Sequence, residues 1–165
     1  LVFGAAMTAN TLDDLDVVNQ IALKMGCLPL FETSEWVDVR LSTGEKGSFL
    51  FVSNYQDDPV APVIHQEGAT LLGGYPVNLP ARTGMILPLE WQVMDGVKIN
   101  FATSEIRKIE QGGSSILLEA AQEEFVAEMT LNGYQCDAAE RLESTNGLDH
   151  VRLFARDGKI ILYRK

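Results

Sequence analysis

The sequence predicts a mainly β protein: an antiparallel β-sandwich or barrel-like domain, preceded by a short α/β stub containing one helix. Three observations carry this. From Glu35 onward, short runs rich in Val, Ile, Leu, Phe and Trp recur, separated by turn residues. Two Asp-Gly pairs, Asp95-Gly96 and Asp157-Gly158, stand between such runs as two-residue hairpin signals. Apolar residues at clear helical spacing occur in one place, Leu12–Met25. The organisation that follows is a strand-helix stub over residues 1–34 and an antiparallel β domain over 35–165.

Leu1–Phe3 reads as a short buried strand. Thr11 and Asp14 then fit a capping box, and Asp13, Asp14 and Asp16 place negative charge at the positive end of the helix dipole. Leu15, Val18, Ile21, Ala22 and Met25 form one apolar stripe, with Asn19, Gln20 and Lys24 toward water and Gly26 at the C-terminal cap. Such a stripe is expected to be covered, by the chain's own β domain or by a second copy. Trp36–Leu41 and Phe49–Val52 form the arms of a hairpin around Thr43–Gly47. Further strands are predicted at Val60–His65, Ala69–Leu72, Tyr75–Leu79, Gly84–Leu89, Trp91–Met94 and Val97–Ala102. The series continues with Ile106–Ile109, Ser115–Ala120, Glu124–Leu131, Gly133–Cys136, Val151–Ala155 and Lys159–Tyr163. Ala138–Asn146 is polar and short, and is expected to be irregular.

Composition bounds the function. The 165 residues include 46% hydrophobic and 22% charged side chains, which is a globular balance rather than a disordered one. Net charge is -10 with no local basic cluster, so phosphate backbones and anionic lipid are repelled, and neither nucleic acid nor membrane is an expected partner. Cys27 and Cys136 form no C-x-x-C pair and no zinc pattern; both are expected to be reduced thiols buried as small hydrophobes. With no disulfide framework, a cytoplasmic setting is favoured. Leu1–Met7 lacks the basic flank of a signal peptide, and a chain that starts at Leu1 without an initiator Met reads as a piece of a longer protein.

No catalytic constellation emerges. His65 and His150 have no Cys, Asp or Glu at metal-ligand spacing on their own elements, and no G-x-S-x-G elbow is present. No metal or cofactor is expected. Glu123 and Glu124 are adjacent, so on a strand they point to opposite faces and cannot flank one glycosidic bond. Glu105 closes a strong strand and is read as a turn partner or an ion pair with Arg107 or Lys108. Trp36, Trp91, Tyr55 and Tyr75 are the aromatic candidates for stacking on sugar rings, against their commoner use as core anchors; Tyr55 and Trp91 are the sugar-contact candidates.

Several strings resemble glycoside hydrolase family 35. Phe49-Leu50-Phe51-Val52-Ser53-Asn54-Tyr55 with Asp57-Asp58-Pro59-Val60 is similar to a strand that follows the catalytic region of β-galactosidases. Leu79-Pro80-Ala81-Arg82-Thr83-Gly84 looks like that family's Leu-Pro-x-Arg-x-Gly segment. Ile99–Ile106 resembles its "i-ysTAEi" strand, with Ser104 where Ala is usual. The stub resembles the end of the flavodoxin-like domain that precedes such β domains in bacterial enzymes of families 35 and 42. The resemblance implies a non-catalytic accessory domain of a bacterial β-galactosidase, whose two catalytic glutamates lie on an upstream TIM barrel. None of this chain's residues inherits either role. The implied partner is that barrel, with a galactoside or a second copy of the chain as further partners. The rival expectation is an independent carbohydrate-binding module.

Overall fold

The computed structural model describes residues 12–165. The chain divides into two compact units, with the boundary between Leu30 and Phe31. In the first, α1 spans Leu12–Lys24. Its C-terminus is a Schellman closure: the Cys27 N–H donates to the Ala22 carbonyl at 2.9 Å and the Gly26 N–H to Leu23 at 3.0 Å. Along the expected stripe, Val18 and Met25 are exposed and Ile21 and Ala22 half-buried. The Leu1–Phe3 strand, the Thr11–Asp14 cap and the Leu15 side chain lie outside the described residues.

The second unit is a sandwich-like stack of antiparallel sheets, none closed into a barrel. Its strands are β1 (Phe31–Thr33), β2 (Asp38–Gly44), β3 (Gly47–Asn54), β4 (Ile64–Gln66), β5 (Ala69–Thr70), β6 (Thr83–Met94) and β7 (Val97–Ala102). They are followed by β8 (Ile106–Gly112), β9 (Ser115–Ala120), β10 (Phe125–Asn132), β11 (Tyr134–Gln135), β12 (Glu140–Thr145), β13 (Leu148–Ala155) and β14 (Lys159–Arg164). One seven-stranded sheet has the order β12-β13-β10-β7-β6-β3-β2. A four-stranded sheet runs β11-β14-β9-β8, and a small layer β1-β4-β5.

Two cores flank the large sheet on opposite faces. Val97, Ile99, Met129, Leu131, Val151 and Leu153 meet Ile116, Leu118, Ile160 and Leu162 of the four-stranded sheet. Leu50, Val52, Leu87 and Phe101 instead meet Ile64, Leu72, Val77 and Leu79, contributed by β4 and the segment that follows it. The change of face occurs in mid-strand. Leu89 pairs with Phe101 and Trp91 with Ile99, yet the first pair faces one core and the second the other. Glu90, at φ 51°, breaks the two-residue alternation of β6, and Asn100 is the extra residue where β7 slips its register against β10.

Several expectations need correction. Phe31–Thr33 pairs with β4, so the boundary drawn at 34/35 falls too late by the length of a strand. Tyr75–Leu79 makes a single bridge, Leu79 to Val60, rather than a strand. Asp157-Gly158 is no hairpin: β13 lies in the large sheet and β14 in the four-stranded one. Gly158 donates to the Glu123 carbonyl and accepts from Ala120 N–H, each at 2.8 Å, so the pair forms a corner between sheets. Ala138–Asn146 is not irregular, since it contains β12, joined to β13 by Asn146-Gly147 at φ 54° and 80°. Positive φ at both central residues is the type I′ hairpin geometry that Asn-Gly favours. Cys27 is exposed rather than buried, while Cys136 is half-buried, its thiol pKa pushed up by desolvation.

The two large sheets are also tied by charge. Asp149 of β13, 4% exposed, accepts from Lys165 Nζ just beyond β14, with Arg141 at 3.5 Å. The Lys165 hydrogen bond, then that of Ser144, holds the Asp149 carboxyl below its ordinary range. A depressed folded pKa stabilises the fold above the unfolded carboxyl pKa and loses that contribution as the pH falls through the folded value. Asp149→Asn should therefore lower the urea midpoint at pH 7, and the gap to the parent should close as the pH drops below about 4. An equal gap at pH 7 and pH 3 would show that the ion pair contributes nothing.

Candidate functional site

Beyond Phe101, the large sheet turns an uncovered face outward from β10 and β13, and it is polar. Alternation along β13 sends Val151, Leu153 and Ala155 into the core and His150, Arg152 and Phe154 to this outer face. Their register partners on β10 are Thr130, Glu128 and Val126. The Arg152 Nε–H donates to Glu128 Oε1 at 2.7 Å, and the neighbouring carboxylate holds the guanidinium more firmly protonated. Thr130 Oγ1 donates to Asn100 Oδ1 at 3.0 Å and lies 3.2 Å from His150 Nδ1.

Aromatic rings close one end of this surface. Tyr75, just after the 3₁₀ turn Leu72–Gly74, lies 6.5 Å from the Phe101 ring and 5.8 Å from Phe154, the latter edge-to-face at 80°. Arg152 sits over the Tyr75 ring at 5.7 Å. A side chain at Gly73 would come within 2.9 Å of the Phe101 ring, so the tight turn that presents Tyr75 depends on glycine there. Between Tyr75 and Phe154 opens a cleft of about 470 Å³, bordered by Asn78, Glu124, Val126 and Arg156.

The residues singled out from the sequence lie elsewhere. Tyr55 is 74% exposed at the far end of β3, whereas Trp91 is half-buried, with its ring 5.5 Å from Phe49 and its backbone against Gly47. The length of β3 separates them, roughly 25 Å at ~3.3 Å per residue, so they do not form one platform. Glu105 is half-buried, and its carbonyl accepts from Ala121 N–H at 2.8 Å. His65 bonds Thr70 Oγ1 at 3.0 Å within the small layer. Among the described residues, no three His, Cys, Asp or Glu side chains converge to hold a metal ion, and no helix is long and apolar enough to cross a membrane.

The strings that resemble family 35 fall on three neighbouring strands, β3, β6 and β7, on the loops that flank them, and at Ile106 on the start of β8. Asn54, 1% exposed, donates to the Asp58 and Pro80 carbonyls at 2.8 and 3.1 Å and accepts from Gln56 N–H at 2.9 Å. Arg82 pairs with Asp57 at 2.5 Å, and its N–H donates to the Gln56 carbonyl. Buried Thr103 accepts from Val126 N–H at 3.0 Å, and buried Ser104 from Gln122 N–H at 3.1 Å. These side chains therefore fasten loops to strands. Compared with protein-family models and with curated proteins, the chain matches none.

Proposed function

We propose that the chain is a non-catalytic accessory β domain of a glycoside hydrolase resembling family 35, whose full-length form hydrolyses terminal β-galactosides. The observation that carries this reading is the use of the resembling strings. Asn54, Asp57, Arg82, Thr103 and Ser104 are engaged in holding loops in place, and of the five only Thr103 borders the cleft beside Tyr75. A motif that fixes backbone suits a domain that packs on a neighbour, here an upstream barrel of the same polypeptide or a second copy of the chain.

The test is an assay of the chain by itself on a chromogenic β-galactoside. No turnover above a heat-treated control is expected. In the full-length polypeptide, removal of this unit should lower the temperature at which galactosidase activity is lost. Turnover by the chain alone that disappears in Glu105→Gln would overturn the reading.

A further inference from the structure

The cleft between Tyr75 and Phe154 has the composition of a ligand site, and of the residues that carry the accessory reading only Thr103 borders it. Its volume of about 470 Å³ falls within the ~300–1,000 Å³ of small-molecule pockets. Phe154 is 53% exposed on its floor, although it lies near the end of β13 on a sheet whose other face is packed. Tyr75 braces that ring edge-on, and Tyr75 is itself held by Phe101 and Arg152. The floor is therefore fixed before anything binds. Around it stand Asn78, Glu124 and Arg156, all exposed. Among the described residues none of these three side chains takes part in an ion pair or a hydrogen bond, in contrast to Arg152 and Glu128 just behind them.

We infer that this cleft binds a neutral pyranoside, the sugar ring stacked on Phe154 and its hydroxyls bonded by Asn78, Glu124 and Arg156. An aromatic face suits the C–H face of a pyranose. Each sugar hydroxyl both donates and accepts, and it needs a mixed set of partners. Glu124 only accepts, Arg156 only donates and the Asn78 amide does both. The opposite charges of Glu124 and Arg156 offset each other, which favours an uncharged ligand over a phosphate or carboxylate. A peptide is the poorer fit. β10, which borders the cleft at Val126, is paired with both β13 and β7 and offers no edge to an extended backbone, while β12 covers the outer edge of β13 only as far as Arg152.

The inference goes beyond the accessory reading and does not depend on it. Titration of isotope-labelled protein with methyl β-galactopyranoside, methyl β-glucopyranoside and galacturonate, followed by amide chemical shifts, tests it directly. Saturable shifts are expected with at least one of the neutral glycosides, confined to residues 75–78, 122–126 and 154–156. Phe154→Ala should weaken binding at least tenfold, and Glu124→Gln and Arg156→Gln several-fold each. All three positions are exposed, so an unchanged spectrum away from the cleft will confirm that the variants fold. No saturable shift with either neutral glycoside, tighter binding of galacturonate, shifts centred on Tyr55, or a Phe154→Ala variant that binds like the parent would each overturn it. Galactoside turnover by the chain would sink the accessory reading and leave this inference standing. Absent binding would do the reverse.

Discussion

Asn54→Ala is expected to destabilise the β unit by about 3 kcal/mol, since it removes the partner of the Asp58 and Pro80 carbonyls and of the Gln56 N–H at once, and each such part-buried bond contributes about 1 kcal/mol. The side chain is 1% exposed, so water replaces only part of what is lost. At the usual conversion for a domain of this size, the melting temperature should fall by roughly 10 °C. A sharper test is Asn54→Asp. The carboxylate keeps the acceptor for Gln56 N–H but aims negative charge at two carbonyl oxygens, so its folded pKa is raised. Its neutral form can still donate to one carbonyl and is favoured at low pH. Stability is then retained below the unfolded carboxyl pKa of about 3.9 and lost as the pH rises through the folded value. Urea midpoints for Asn54→Asp should approach those of the parent near pH 4 and fall away toward pH 7. A flat pH dependence, or an Asn54→Ala variant as stable as the parent, would mean that the loops around residues 56–58 and 79–80 are held by something else.

The same asparagine bears on what the sequence could reveal. Short apolar runs and their turns located Val97–Ala102 and Ser115–Ala120 to the residue, because alternation and flanking turn residues are local properties. Asn146-Gly147 was passed over as a hairpin signal, because the polar run before it hid β12 and Ala138–Asn146 read as irregular. All six residues of that edge strand are exposed, so it carries no apolar alternation. Asp157-Gly158 failed for the opposite reason. A dipeptide that favours positive φ specifies a turn and not the sheet that the next strand joins, and here the core contacts of Ile160 and Leu162 place β14 on the other layer. The change of face at Glu90 and Asn100 was similarly out of reach, since it depends on two strands losing alternation opposite each other.

The candidate cleft was half visible. Val151, Leu153 and Ala155 alternate as core residues, and that pattern alone turns Phe154 outward, where a phenylalanine stands out. Tyr75 was among the aromatic candidates, but its pairing with Phe154 brings together residues from distant parts of the chain. Trp91 had the opposite fate, since size and ring chemistry could not distinguish a sugar platform from the half-buried partner of Phe49 that it is. Asn78 and Arg156 carried no signal in the sequence, and Glu124 stood out only beside Glu123, as a catalytic pair that adjacency ruled out. Each is an ordinary polar residue beside a turn, and only the crossing of β13 with the loops before β6 and β10 gathers them.

The paired substitutions Gly96→Ala and Gly147→Ala separate two causes that a sequence cannot tell apart. Both glycines occupy nearly the same left-handed conformation, φ 79° and 80°, each at the second position of a two-residue hairpin loop. A side chain in that conformation costs about 1–2 kcal/mol by itself. Around Gly147 nothing lies within 4 Å of an added Cβ, so this backbone term should be the whole effect. At Gly96 the added atom would fall 2.4 Å from the Asn132 carbonyl oxygen, which is backbone and cannot rotate aside. Relief requires the β6–β7 turn to lift away from β10. That movement would break the 2.8 Å bond from Asn132 N–H to the Gly96 carbonyl and disturb Tyr134, which packs on the rim of the core between the two large sheets. Adding the clash and a lost hydrogen bond of about 1 kcal/mol to the backbone term gives an expected total of roughly 3–4 kcal/mol for Gly96→Ala. Urea denaturation of the two variants side by side measures the difference directly. Gly147→Ala should shift the midpoint slightly, and Gly96→Ala by at least twice as much at an unchanged slope. Equal losses would show that backbone conformation alone sets the cost, and that the packing of the β6–β7 turn on the end of β10 adds nothing to the stability of the sheet.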